Sequence, residues 1–91
     1  MSETAELPEH RLKRLHMRSM RRGIKEMDLI LPPFAAARLP RMDDAELALY
    51  EDLLNESDHD LYQWVSSQAA PPDRYADMIG QIREQLAGGV R

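Results

Sequence analysis

Apolar side chains in this chain recur at intervals of three and four residues, and that spacing constrains the fold more than any other feature of the sequence. Leu47, Tyr50, Leu53 and Leu54 form one stripe. Tyr75, Met78, Ile79, Ile82 and Leu86 form another. No run of alternating β-branched residues is present, and the whole chain holds only two valines and four isoleucines. Strands are therefore not expected. The 91 residues suffice for one small domain and not two. A chain this short buries only about 60–65% of its unfolded surface, so its stability margin is thin.

Glycine and proline divide the periodic sequence into five short helices. The first begins near Pro8, a residue suited to a first helical turn. Leu12, Leu15 and Ser19 make one face, with Met20 adjoining, and arginine and lysine take the rest. Gly23 is the expected stop, because glycine accepts the left-handed conformation that ends helices. A second segment runs from about Ile24 to Leu39, with Met27, Leu31 and Phe34 near one face. Pro32 and Pro33 are expected to kink or interrupt it, since proline lacks an amide donor and clashes one turn back. Asp43, with Glu46 three residues on, starts the third helix as a capping box. Asn55 to Asp58 is a turn, and Ser57 or Asp58 caps a fourth helix carrying Leu61, Trp64 and Val65. "AAPPD" precedes the last helix, which Gly88 and Gly89 end. The expected architecture is a compact all-α five-helix bundle, one domain over 1–91, ordered over about 8–87 with a flexible leader and tail.

Charge is polarised along the chain. From Glu9 to Lys25 there are seven basic residues and one acidic one, and from Asp43 to Asp60 eight acidic residues and no basic one. The plain reading is two helix faces that attract each other. The alternative is a basic helix over 11–25 that binds nucleic acid or a regulatory partner. Overall acidity and the prolines in the second segment disfavour nucleic acid, because a recognition helix needs continuity.

Catalysis finds little footing. His10, His16 and His59 have no metal-ligand spacing, and no glycine-rich phosphate loop is present. The absence of cysteine excludes disulfides, thiol catalysis and cysteine-bound metal. The longest uncharged apolar run, "LILPPFAAA", falls short of the roughly 18 residues of a membrane span. The acidic leader "MSETAELPEH" is no secretory signal and argues against reading residues 11 to 25 as a mitochondrial presequence. A cytoplasmic protein is expected.

The stretch "RRGIKEMD", residues 21 to 28, supports two readings. In the structural one, Gly23 ends one helix and caps the next, with Glu26 reaching back to its amide or pairing with Arg22. In the functional one, the break sets an arginine fork, a bare backbone and a carboxylate together at an exposed corner that a partner approaches.

"RRGIKEMDLILPPF" resembles the Arg-Gly-x-x-Glu signature, downstream Asp and Pro-Phe of the SdhE-type FAD assembly factors. "LLNESDHDLYQWV" looks like that family's Leu-Leu, acidic turn and Asp-Leu-aromatic-x-Trp segment. The likeness covers the chain from about Arg11 to Leu86. It implies a five-helix bundle with no cofactor of its own. It also implies that the chain binds the flavoprotein subunit of succinate dehydrogenase, and in some bacteria that of fumarate reductase. There it promotes covalent attachment of FAD to the flavoprotein's own histidine, before the iron–sulfur subunit docks. The factor is not the catalyst and is expected to be a monomer when free. Carried over, the signature falls on Arg22, Gly23 and Glu26, with Asp28, Pro33 and Phe34 on its extension. Arg21 and Lys25 flank it and join the expected partner-binding set. Pro32 and the long leader depart from some relatives. Phe34 and Trp64 are expected in the core rather than at a contact, since a small bundle needs its few large aromatics inside.

Overall fold

The computed structural model describes residues 7–89. The expected flexible leader and the last two residues lie outside them. Five helices follow one another: α1 (Pro8–Arg18), α2 (Lys25–Arg38), α3 (Asp44–Leu54), α4 (Asp58–Val65) and α5 (Ala76–Gly89). Short 3-10 turns at Leu39–Arg41 and Asp73–Tyr75 follow α2 and precede α5. No strand occurs among the described residues.

The helix starts follow local chemistry. Pro8 opens α1. Asp43 and Glu46 form the expected capping box on α3: Asp43 accepts the Glu46 amide at 2.8 Å, and Glu46 accepts the Asp43 amide at 3.1 Å. Ser57, not Asp58, caps α4 by accepting the Asp60 amide at 3.1 Å. Eight residues are too few for a helix to stand alone, so α4 persists through its buried Leu61, Trp64 and Val65. It ends in a Schellman motif: the Gln68 amide donates to the Gln63 carbonyl at 2.8 Å and the Ser67 amide to Trp64 at 3.2 Å. Ser67 takes the left-handed conformation usually left to glycine, with φ 67°.

Two expectations about element ends are corrected. α1 stops at Arg18, and the left-handed residue of the following loop is Arg21, φ 55°, not Gly23. α2 runs unbroken through Pro32 and Pro33. Its inward face, Met27, Leu31, Phe34 and Ala35, is fully packed, and that packing outweighs two missing amide donors. α5 extends to Gly89, the second of the two glycines expected to end it.

α2 is the central helix and packs against α1, α4 and α5. Phe34 stacks obliquely on Tyr50 of α3 with ring centroids 5.7 Å apart, and Trp64 on Tyr75 at 5.9 Å. Both expected core aromatics, Phe34 and Trp64, are buried. Met78, Ile79 and Ile82 of α5 complete the core, whereas Leu86 of the same periodic series is 36% exposed.

α1 attaches differently. It buries only Leu15, and Ser19 follows just beyond its end. Its arginines form a row that faces the acidic segment. Arg11 meets Asp44 at 3.5 Å, Arg14 grips Glu51 with two bonds of 2.8 and 3.3 Å, and Arg18 donates to Asn55 at 2.7 Å. Arg22, past the helix end, continues the row to Asp58 at 2.6 Å. The polarised charge of the chain is therefore joined within the molecule, as the plain reading expects.

Candidate functional site

The loop from Ser19 to Ile24 makes the corner between α1 and α2 and carries Arg22 and Gly23 of the signature, with Glu26 in the first turn of α2. Two carboxylates brace it, one from α4 and one from α2. Asp58, in the first turn of α4, accepts the Arg22 Nε–H at 2.6 Å with Oδ1 and the Gly23 amide at 2.6 Å with Oδ2. Asp28, in the first turn of α2, accepts the Arg22 amide. The Arg22 guanidinium also donates to the carbonyls of Arg18 and Leu54, each at 2.9 Å. Hydrogen bonds to charged groups are roughly twice as strong as neutral ones, so this is a rigid joint. It holds Arg21 in a conformation that costs a non-glycine residue about 1–2 kcal/mol.

The signature residues thus divide in two. Arg22 spends three hydrogen bonds on its own chain, and its side chain is 12% exposed. Its fork braces the corner, and its partner is Asp58 rather than Glu26. Gly23 is not in left-handed backbone. A β-carbon there would lie 3.0 Å from Asp58 Oδ2. Glycine leaves room for the carboxylate to close on the backbone; the β-carbon direction points at Asp58 and not outward. Glu26 does not cap α2: Ile24 is the N-cap residue, with no side-chain cap.

Arg21, Lys25 and Glu26 are exposed, and no side-chain bond engages them among the described residues. Glu26, Leu29 and Pro33 follow at intervals of three and four along the exposed side of α2. Leu29, at 66%, is the most exposed large hydrophobic side chain described. It was not singled out by the sequence reading, although it falls off the Met27–Leu31–Phe34 face. Asp58 was also missed as a member of the corner, because nothing local links residues 36 apart.

Behind the corner, Ser19 Oγ donates to the Leu15 carbonyl at 2.9 Å and lies 2.6 Å from the Tyr50 hydroxyl. Burial pushes the Tyr50 hydroxyl up to about 12, against the smaller opposing effects of Ser19 and Arg22. On the α1–α3 side, the hydrogen bond from Arg14 holds the Glu51 carboxyl below its ordinary range. No group of three or more metal-ligating side chains occurs among the described residues. A surface depression of about 430 Å³ is lined by His10, Lys13, Arg14, Met17 and Arg18 and includes neither Gly23 nor Glu26.

Fold and corner define a small all-α protein with a braced, charged corner between its first two helices. A family model described as flavinator of succinate dehydrogenase matches residues 13–86, and the chain belongs to this family. Among similar proteins are those named succinate dehydrogenase assembly factor 2, mitochondrial. The one from Saccharomyces cerevisiae is 42% identical over 76 residues, covering 78% of this chain and 47% of the relative. That of Komagataella phaffii is 39% identical over 80 residues, covering 82% and 42%. That of Kluyveromyces lactis is 37% identical over 89 residues, covering 92% and 55%. The chain spans about half the length of the curated relatives it matches.

These names correct the cytoplasmic expectation. Each relative is designated mitochondrial, which points to mitochondria rather than the cytoplasm. A lack of cysteine fits any reducing compartment and does not separate these two.

Proposed function

We propose that this chain is an assembly factor that binds the flavoprotein subunit of succinate dehydrogenase and promotes covalent attachment of FAD to it. The observation that carries the reading is the corner itself. In a chain of the flavinator family, the signature loop is braced from both sides while Arg21, Lys25, Glu26 and Leu29 stay free toward solvent. Such a surface favours one conformation of a client through differential affinity. FAD belongs to the client, and the factor contributes no reacting group. It is a monomer when free, and the fumarate reductase flavoprotein is a second client. The nucleic-acid alternative loses support, because Arg11, Arg14, Arg18 and Arg22 of the basic segment already engage the chain's own acceptors.

The test mixes the chain with apo-flavoprotein subunit, FAD and a dicarboxylate, and reads covalent flavin by in-gel fluorescence. Covalent flavin on the flavoprotein, and none on this chain, is the expected result. Glu26→Ala should lower client capture with little change in melting temperature. An unchanged flavin yield with an authentic subunit, or flavin bonded to this chain's own histidines, would refute the reading.

A further inference from the structure

Asp58 has more to do than a first-turn carboxylate needs. α4 is already capped by Ser57, so Asp58 is not needed to start the helix. Its side chain is turned away to the α1–α2 loop and is 19% exposed. There its two oxygens are divided between two donors, the Arg22 guanidinium and the Gly23 amide. With Asp28 on the Arg22 amide, two successive amides are held by carboxylates from two different helices. A six-residue loop fixed this way has its direction set by α2 and α4 together, three residues before Glu26. Fixing a docking surface beforehand removes ordering cost at the moment of binding.

We infer that Asp58 is a positioning residue, outside the Arg-Gly-x-x-Glu signature, that holds the Arg22–Gly23 backbone so that Glu26 and its neighbours meet the flavoprotein in one arrangement. The inference rests on the flavoprotein-binding reading above. It also accounts for Gly23: the glycine makes room for Asp58, whose Oδ2 lies 3.0 Å from where a β-carbon would be. The substitution that separates charge from shape is Asp58→Asn. An amide has one acceptor oxygen, so one of the two donors now faces an NH₂ group.

The experiment uses the full chain, isotope-labelled, as wild type, Asp58→Asn, Asp58→Glu and Glu26→Gln. It reads two quantities: amide hydrogen exchange at Gly23, which needs no client, and affinity for the apo-flavoprotein subunit. Asp58→Asn should speed Gly23 exchange at least tenfold, leave the Ile79 and Ile82 amides as protected as in wild type, and weaken capture about tenfold. Asp58→Glu, which keeps two acceptor oxygens, should recover part of both. Glu26→Gln should weaken capture with Gly23 exchange unchanged. Gly23 exchange that ignores Asp58→Asn, or a loosened corner that binds as tightly as wild type, overturns the positioning role alone. A wild-type chain that fails to capture the flavoprotein overturns the binding reading and the positioning role with it.

Discussion

Gly23→Ala tests whether glycine is needed for room or for backbone freedom. Its φ is not in the left-handed region, so alanine can adopt the backbone, and by itself the change should stabilise by about 0.4–1 kcal/mol through the unfolded chain. Opposing this, the new methyl meets Asp58 Oδ2 at 3.0 Å. That carboxylate cannot turn aside freely, because each oxygen holds a 2.6 Å hydrogen bond. A hydrogen bond to a charged group contributes about 1.5–3 kcal/mol, and weakening one by half costs about 0.75–1.5 kcal/mol. At the midpoints of the two ranges the net expectation is a loss of about 0.4 kcal/mol. In a domain of this size that lowers Tm by about 2–3 °C. The assay is circular dichroism melting of Gly23→Ala, Asp58→Ala and the double variant. In the Asp58→Ala background the clash partner is gone, and Gly23→Ala should stabilise by the same 0.4–1 kcal/mol. Equal losses in both backgrounds, or a gain in both, would refute the steric argument.

Other outcomes follow from the bracing pairs. Asp43→Ala removes half of the capping box on α3 and should cost about 0.5–2 kcal/mol in urea unfolding. Glu51 has a lowered folded pKa, so its stabilisation is complete above the ordinary 4.5 and is lost as pH falls through the lower folded value; Glu51→Gln should flatten the acid limb of Tm against pH. Tyr50 has a raised folded pKa, so its stabilisation is complete below 10.0 and is lost as pH rises through about 12. Tyr50→Phe should make alkaline unfolding shallower, as read by circular dichroism, while costing about 1 kcal/mol at neutral pH through the lost Ser19 hydrogen bond.

The helices were legible because their signals are local. A stripe such as Leu47, Tyr50, Leu53 and Leu54 and a box such as Asp43 with Glu46 lie within one or two turns. The signature was legible in the same way. What could not be read was set across the fold. Propensity assigns the left-handed residue to Gly23, but the tertiary brace assigns it to Arg21. Proline chemistry argues against a continuous α2, but a face buried along its whole length keeps it helical. Arg22 looks like a free fork in sequence, because the carboxylate that occupies it comes from α4. Leu86 keeps the spacing of its helix but is 36% exposed near its end, so the periodicity there does not mark the core.

The arginine row gives α1 a distinctive place in the energetics of the molecule. The other helices each bury several residues in the common interior, whereas α1 buries Leu15 there, with Leu12 packed alongside, and adds a row of ion pairs that water reaches. Such exposed pairs weaken as salt rises, even at separations below the Debye length of about 8 Å at physiological ionic strength. Raising ionic strength is therefore expected to speed amide exchange in α1 more than in α2 to α5. The last tether of α1 is Arg22, which ties back to the Arg18 carbonyl and across to Leu54 and Asp58. On the proposed function, a client that bound only the seated form of the corner would hold the helix down by mass action. Occupancy at one end of α1 would then be felt along its length, as rarer opening of a helix that the client need not touch.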